Sequence, residues 1–572
     1  MLQHLCSKTE LRVKRQLLEA MLFEQLLPYD REGDTFRLYG SYGTYECKGK
    51  RGAFNRFRIQ EECMYQIEKD GSLVEIALEQ LVEELTSEQS TKARLLNELE
   101  QTIRLTEWNE LNLAPPLGSR RELSYEELES EIIEGHPYHP CFKARTGFTI
   151  SDHQRFGPEA KQSFALQWLA VRRKDINFSF PYEECDFWKN EVGEEAWNRF
   201  IIQLKQVDKQ ISDYTFLPVH PWQWSSLVKS KMLDQMLKNE DIIPLKYNGD
   251  LYRATQSVRT LWNDTQPEKA HVKLSMNMVN TSSLRTLASH SVCTAPHLSA
   301  WLNRIVEGDS YLHSSLILLK EYAGAIYEPK DEQVREKMDG QLGVIWRENI
   351  RTYMKEEEKA VPFTALPLLE RDGELFITPW LRKYGIEKWI ERFVEVAILP
   401  VWHLLVAHGV GVEAHAQNMV LLHEDGWPTR VVLRDFHESV EYVEFYLTSP
   451  AILPDFQRLH HSYKEAPNNQ YYWMSSVEGL RELVMDTLFV FHLSDLSFAL
   501  EAYEGYKEHL FWTRVHTSIE KHLERFPSLR ERHEQLRMNQ PRIYTESLLM
   551  KKVSAKKQES YRHLVVNTLA MI

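Results

Sequence analysis

Glu413, His415, Asn418 and Asp435 stand at the two ends of one apolar segment, EAHAQNMVLLHEDGWPTRVVLRDF, which runs from Glu413 to Phe436. The segment reads as a β-hairpin. Met419 to His423 is one strand, Glu424-Asp425-Gly426-Trp427-Pro428 the turn, and Thr429 to Leu433 the returning strand. Gly and Pro in the turn supply the backbone conformations that a chain reversal needs. Antiparallel pairing sets residues equally distant from the turn opposite each other, and this reading makes Asn418 and Asp435 such a pair. An amide oxygen and a carboxylate then meet, with His415 and Glu413 just upstream. Hard oxygen donors of this kind suit Mg²⁺, which usually keeps part of its water shell.

Cations lie on two further stretches. In HVKLSMNMVN (His271 to Asn280), Val272, Leu274, Met276 and Met278 alternate with Lys273, Ser275 and Asn277, which is the period of a strand. LYRATQSVRT sets Arg253, Thr255, Ser257 and Arg259 on one face, and NTSSLRTL adds Thr281, Ser282 and Arg285. Two half-exposed strands with solvated polar faces would show the same pattern. So would an anion site, because guanidinium and ammonium groups among hydroxyls bind phosphates and carboxylates. The string GHPYHPCFKARTGF gathers His136, His139, Lys143 and Arg145 in a loop that its prolines stiffen, and a second His-Pro occurs at His220 in LPVHPWQW. His136 and His139 have no third ligand nearby for zinc. Single histidines of this kind are more often buried hydrogen-bonding groups.

Cations for phosphates, an Asn/Asp pair for Mg²⁺ and a histidine beside them point to ATP. Neither G-x-x-x-x-G-K-[ST] nor H-E-x-x-H occurs. A histidine loop, an Asn, a hairpin and Asp-Phe also describe the metal site of small-molecule kinases. The hairpin by itself leaves phosphoryl transfer and carboxylate adenylation open.

The elements that must position these residues belong to a chain of 572 residues, long enough for two or three domains. With 43% apolar and 11% aromatic residues a packed globular protein is expected. A formal net charge of −14 argues against nucleic-acid binding and is compatible with a cationic partner. The six cysteines are scattered without a C-x-x-C, as suits a reducing compartment. The N-terminal stretch reads as an amphipathic helix rather than a signal peptide. FVEVAILPVWHLLVAHGVGV carries Glu395, Pro400, His403 and His408 and reads as a buried helix rather than a membrane span. A cytoplasmic protein without a membrane partner is expected. Short alternating segments TFRLYG, GTYECKG, AFNRFRIQ and MYQIEKDG suggest a small antiparallel sheet, followed by a helical pattern over about 72–105. A break at NLAPPLGSRREL puts a boundary near residue 130, and from about 385 the chain turns mainly helical. The late basic run KKVSAKK reads as a solvated helix end.

GHPYHPCFKARTGF, LPVHPWQW, QSVRT, VKLSMNMVNTSSLRTL, EAHAQN and LRDFHES occur in this order between Gly135 and Ser439. The ordered set resembles the IucA/IucC family, siderophore synthetases that work independently of nonribosomal peptide synthetases. The resemblance extends over nearly the whole chain and is strongest to the petrobactin branch, which joins citrate to spermidine. It implies a mixed α+β fold shaped as a hand, with a thumb (1–130), fingers (131–385) and a palm (386–572), and a homodimer. It implies activation of a citrate carboxylate by ATP as an acyl-adenylate, then attack by an amine or hydroxyl with loss of AMP. By motif, Ser257, Arg259, Thr260 and Lys273 bind the triphosphate. Thr281, Ser282 and Arg285 hold citrate, His136 contacts substrate, and His415 sits at the α-phosphate. Glu413, Asn418 and Asp435 serve nucleotide and Mg²⁺. Two departures stand out: relatives often carry Gly where this chain has Ala416, and the basic C-terminal motif is matched only loosely by LLMKKV, with Lys551 and Lys552.

The chemistry agrees with that assignment. A carboxylate attacking a phosphate brings two anions together, and Arg285, Lys273 and Mg²⁺ would offset the repulsion. His415 is placed with Arg285 and Lys273 as the catalytic group, donating hydrogen bonds to the α-phosphate. The expected protein is an ATP- and Mg²⁺-dependent acid–amine ligase for citrate and a polyamine. Three other readings stay open: another acid or acceptor on the same fold, a small-molecule kinase, and a non-catalytic iron- or siderophore-binding protein.

Overall fold

The computed structural model describes residues 7–114, 118–247, 249–554 and 561–572. Cys6 and the last three residues of the KKVSAKK run lie outside the described residues. The expected N-terminal helix is Lys8–Phe23, capped by the Ser7 hydroxyl, which accepts from Glu10 N. Its apolar side, with Val13, Leu17, Leu18 and Met21, is buried against a five-stranded antiparallel meander. AFNRFRIQ and MYQIEKDG do not form separate strands. They merge into Phe57–Ile67, which keeps pairing past a bulge opposite Cys47 and Gly49. The helical pattern after it is interrupted: Leu73–Val74 closes the sheet, Leu78–Glu83 is a short helix, and Gln89–Asn112 the long one. At that break the Glu84 carboxylate accepts from Ser41, Tyr42 and Gly43 N and from the Tyr45 hydroxyl, anchoring the sheet's loop.

The middle of the chain builds an antiparallel seven-stranded sheet and a three-stranded one, with a hydrophobic core between them. Two expected strands are corrected here. YRATQSVRTLW is a hairpin of Leu251–Ala254 and Thr260–Asn263, with Val258 at φ 67° in its turn. Arg253 and Arg259 therefore do not share a strand face. HVKLSMNMVN is a strand only over His271–Leu274. It then runs irregularly into a tight hairpin of Val279–Asn280 and Ser283–Leu284, with Thr281 and Ser282 at the tip. On its polar side Lys273 and Ser275 are buried, and only Asn277 is exposed.

A four-stranded sheet holds the opening hairpin. Met419–Glu424 pairs antiparallel with both Glu358–Pro362 and Trp427–Leu433, and Trp427–Leu433 runs parallel to Leu316–Leu318. The turn is shorter than expected. Only Asp425 and Gly426 form it, at φ 48° and 89°, the left-handed pair favoured in two-residue hairpins. Arg434, not Asp435, stands opposite Asn418 and donates its N–H to the Asn418 carbonyl at 3.0 Å: Met419 faces Leu433, and Asn418 lies six residues before the expected turn but Asp435 seven after it, so the two are not equally distant. Beyond Leu318 the chain passes through Leu319 and Lys320 and enters Glu321–Tyr327 of the seven-stranded sheet. Two residues thus join the sheet that carries the hairpin to the sheet that carries Lys273.

The apolar stretch before the hairpin is the buried helix expected, from Ile386–Phe393 to His408, with π segments at Val394–Ile398 and Leu404–His408. Pro400 accounts for the first: it has no N–H to donate, and its ring displaces the carbonyl four residues back. Val477–Glu504 is long and apolar enough to cross a membrane, but 67% of its apolar window is buried inside the protein. These helices, the N-terminal helix and the meander share one continuous core.

The turn's Gly426 packs on Trp380, and a Cβ there would lie 2.2 Å from the ring. Gly373, also left-handed at φ 81°, has nothing within 4 Å. Gly373→Ala should cost about 1–2 kcal/mol for backbone strain alone. Gly426→Ala should add about 1–3 kcal/mol of overpacking, seen as a lower denaturation midpoint. Equal midpoints would remove the Trp380 contact as a constraint on the turn.

Candidate active site

Asp435 leaves the hairpin in the left-handed region at φ 67°. Its Oδ1 lies 2.7 Å from Lys273 Nζ and 2.7 Å from Arg347 Nη1. Both cations come from one face of the seven-stranded sheet, where His271 stands opposite Arg347 and Lys273 lies two residues further along. His271 Nδ1, 2.9 Å from Arg347 Nη2, holds the guanidinium in place. Glu321, wholly buried on the next strand, grips the chain just after Asp435. It accepts from Phe436 N at 3.0 Å, His437 N at 2.9 Å and His437 Nδ1 at 2.8 Å. Burial by itself would raise both carboxyl pKa values. For Asp435, Lys273 and Arg347 outweigh it and hold the group well below the usual range. For Glu321, His437 and Lys273 bring the pKa to about 2. Arg434 turns the other way, to a buried ion pair with Glu129 at 2.7 Å and to the Tyr125 hydroxyl, which locks the helix Tyr125–Glu131 to the hairpin.

The anion-binding candidates surround this cluster. Thr260 stands opposite Lys273 across two strands, and its buried hydroxyl has no protein partner. Ser257 Oγ accepts from Thr260 N at 3.1 Å and shapes the turn. Arg259 is buried, and its Nη1 donates to the Thr286 carbonyl at 2.5 Å. Arg285 donates from Nη2 to the Asn280 carbonyl at 2.8 Å, while its Nε is buried without a partner. Neither guanidinium forms an ion pair within 4.0 Å among the described residues. Burial, and then the charge of Arg259, lower the Arg285 pKa to about 10, which leaves it protonated at neutral pH.

His136 Nδ1 accepts from Tyr138 N and His139 N, both at 3.1 Å, so its ring proton is on Nε2. Burial, with a smaller contribution from neighbouring charges that include His415, lowers its pKa to about 4. His136 is therefore a neutral donor at neutral pH. His415 is half-buried, with Nε2 3.9 Å from Glu413 Oε1. Glu413 Oε2 accepts from Ser439 Oγ at 2.6 Å. Asn418 Nδ2 donates to the Glu413 carbonyl at 3.0 Å, leaving Oδ1 as a ligand atom. Ala416 is outside the left-handed region, so its methyl adds no backbone strain. Thr281 lies at φ 63°, its carbonyl accepting from Lys552 Nζ at 2.8 Å, and Ser282 is exposed beside it. Lys552 is no solvated helix end: it is buried against Glu98.

The structure thus joins Thr260, Lys273 and Asp435 in direct register and contact, with Arg285 in electrostatic reach of Arg259 and Glu413, and His415 in reach of Glu413 and His136. Lys143 and Arg145 stand apart from these residues, because Glu159 pairs with both at 2.6 and 2.8 Å in a buried cluster. Arg347, Glu321 and His437 are the residues that sequence reasoning missed. Their signal was charge on apolar strands, in GVIWR and KEYAGAIY, since a buried charge needs a partner. The oxygens of Glu413, Asn418 and Asp435 are hard donors of the kind Mg²⁺ takes, and Asp435 Oδ1 is held by Lys273 and Arg347.

Comparisons with known proteins agree with this geometry. The sequence profile of the IucA / IucC family matches residues 124–367, and that of the ferric iron reductase FhuF-like transporters matches residues 387–560. The second segment has no cysteine, hence no thiolate for an iron–sulfur cluster. A Bacillus anthracis protein described as citryl-spermidine/3,4-dihydroxybenzoyl-citryl-spermidine:spermidine ligase is 36% identical, covering 98% of this chain and 93% of its own. A Staphylococcus aureus synthase of a carbamoyl-substituted 2-hydroxypropanoate is 30% identical, covering 100% and 94%. The crystal structure of petrobactin biosynthesis protein AsbB from Bacillus anthracis superposes with a TM-score of 0.91 at 36% identity, covering 98% and 95%. Aerobactin synthetase IucC from Klebsiella pneumoniae shares the fold at a TM-score of 0.82 and 22% identity, covering 98% of each chain. With this likeness along nearly its full length and its own motifs gathered around Asp435, the chain belongs to the IucA/IucC family of ATP-dependent siderophore synthetases.

Proposed function

We propose that this chain adenylates a citrate carboxylate with ATP, releasing pyrophosphate, and joins the activated acyl group to a primary amine of a polyamine, spermidine, releasing AMP. The observation that carries this reading is the pair Arg259 and Arg285, two guanidiniums whose hydrogen bonds go to protein carbonyls and which have no carboxylate within ion-pair distance among the described residues. Such a pair suits a reaction in which a carboxylate must approach a phosphate. Ser257, Arg259, Thr260 and Lys273 take the triphosphate. Arg285, Thr281, Ser282 and the Nε2–H of His136 orient the acid, and His415 donates to the α-phosphate. Glu413, Asn418 and Asp435 would hold Mg²⁺, which when bound supplies charge neutralisation at the phosphates. Lys273 is poised between Asp435 at 2.7 Å and Glu321 at 3.5 Å, so it can turn toward a phosphate while Arg347 keeps Asp435 in place. The division into thumb, fingers and palm, the homodimer and the cytoplasmic location belong to the same proposal.

A second reading of the acid has a specific observation behind it. The Bacillus relative's description names citryl-spermidine and spermidine as its substrates. A citrate that already carries one amide is then the acid, and the same residues act on its remaining carboxylate.

A product assay tests both. Protein, ATP and Mg²⁺ are mixed with citrate or citryl-spermidine, with and without spermidine, and nucleotides and amides are resolved by mass. AMP with citryl-spermidine supports the first reading, and AMP with a doubly amidated citrate the second. ADP would overturn both. Arg285→Ala should lower kcat/KM for AMP formation by roughly 10²–10³-fold, the usual cost of losing one transition-state donor. Near-normal turnover would take Arg285 out of the site. Asp435→Asn should raise the Mg²⁺ concentration for half-maximal turnover at least about tenfold, since a charged oxygen ligand is lost. A wild-type titration curve would remove Asp435 as a metal ligand.

A further inference from the structure

A second cluster of ligating side chains lies outside the candidate active site. Asp309 links the helices Ser289–Gly308 and Ser310–Ser315. Its Oδ1 accepts from Tyr311 N at 2.8 Å and Leu312 N at 3.0 Å, which fixes the carboxylate plane. Its Oδ2 faces two imidazoles, with His403 Nε2 at 3.1 Å and His408 Nε2 at 2.9 Å. His403 and His408 are five residues apart, and on a regular α-helix five residues would turn them to different faces. The π segment Leu404–His408 winds the chain so that five residues complete roughly one turn. That local rewinding is what brings both rings to one oxygen.

We propose that Asp309, His403 and His408 form a binding site for a divalent transition-metal cation of the Zn²⁺ class. Two imidazoles and one carboxylate are a donor set that suits zinc, with a fourth position open to water. Metal–ligand bonds of about 2.0–2.1 Å in tetrahedral geometry set ligand atoms about 3.3 Å apart. The three ligand atoms already lie within 4.8 Å of one another, and Asp309 Oδ2 is 3.1 and 2.9 Å from the two nitrogens, so closing on a cation needs chiefly that the two rings approach each other, by at most about 1.5 Å. The side chains of Asp309 and His408 are 17% and 16% exposed, enough to admit an ion.

The surroundings match a metal site as well. His403 Nδ1 lies 2.7 Å from Nε2 of His522, a residue of the helix Glu508–Arg525. His522 Nε2 is thus placed to accept a hydrogen bond from a His403 Nδ1–H. In the protein alone each Nε2–H donates to Asp309. A cation replaces those two hydrogen bonds: each ring carries its proton on Nδ1 instead, and His403 donates that proton to His522. Tyr311 and Phe526 pack on the His403 ring at 4.8 and 5.3 Å and wall the site on its inner side. The bound ion would tie the start of Ser310–Ser315 to the helical run that leads to Glu413, with Glu508–Arg525 as the outer support. The other comparable cluster, Glu328, His460 and His461, is looser, with His461 Nδ1 3.9 Å away and its ring exposed.

The test is direct binding to the full chain after chelator treatment. Equilibrium dialysis against Zn²⁺ is expected to give one tightly held ion, and Co²⁺ in its place the visible absorption of a four-coordinate N/O site. Asp309→Asn keeps the Oδ1 cap and the side-chain volume, and should lose the ion, as should His408→Ala. His522→Ala should weaken binding about 10–100-fold, the usual cost of removing an outer hydrogen-bond partner. Zn²⁺ should raise the melting temperature of the wild type and not that of His408→Ala. No stoichiometric Zn²⁺, or Zn²⁺ and Co²⁺ binding unchanged in both Asp309→Asn and His408→Ala, would overturn the assignment.

Discussion

A single carboxylate oxygen, Asp435 Oδ1, is shared by Lys273 and Arg347 at 2.7 Å each, and the rest of the site is arranged around that contact. Taking three charges out of water is costly, and the cost is offset only when geometry and further hydrogen bonds are good. Here His271 braces Arg347, and Glu321 holds the backbone beyond Asp435. Two sheets with different partners are thereby held in one relation. The covalent link through Leu319 and Lys320 brings them side by side, and the ion cluster sets their register.

Around that neutralised centre the charge balance becomes deliberately incomplete. Burial, and then the charge of Arg259, lower the affinity of Arg285 for a proton, and protein carbonyls, not carboxylates, receive the hydrogen bonds of both. Buried cations left in this state favour an anionic guest. Backbone strain is concentrated in the same place. Val258, Thr281 and Asp435 all take positive φ, a costly state for a β-branched residue, and strain of this kind gathers at functional sites. Lys552, reaching from the far end of the chain to the Thr281 carbonyl, is one of the contacts that sustains it.

The likeness to siderophore synthetases covers the whole chain, whereas the two family profiles divide it. The structure explains how both can hold. The segment 124–367 carries the cations, and 387–560 carries the hairpin and its acid, but neither has a complete site. Only their junction, where the seven-stranded sheet meets Asp435, brings cation and carboxylate together.

Much of this was legible in the residues themselves. The hairpin, the N-terminal helix, the buried apolar helix and the order of the motifs follow from local pattern, because turn chemistry and hydrophobic period act over a few residues. Lys273 and Asp435 were recognisable as chemistry-bearing groups for the same reason. What local pattern could not supply was pairing at a distance. The bulge at Leu422/His423 moves the register by one residue, so that Asn418 meets Arg434 rather than the Leu433 that the two-residue turn alone would set opposite it, since register depends on the fit to neighbouring strands as well as on the turn. Local pattern showed Lys143 and Arg145 close together in one loop, but not that Glu159 occupies both. Arg347 and Glu321 looked like ordinary strand residues until they met Asp435 and His437. The sequence determined which side chains could bind phosphate, metal and acid. Tertiary structure alone decided which of their charges were cancelled and which were left over, because a charge in a protein acts through whatever lies within a few ångströms of it, and here those neighbours come from residues up to a few hundred positions away.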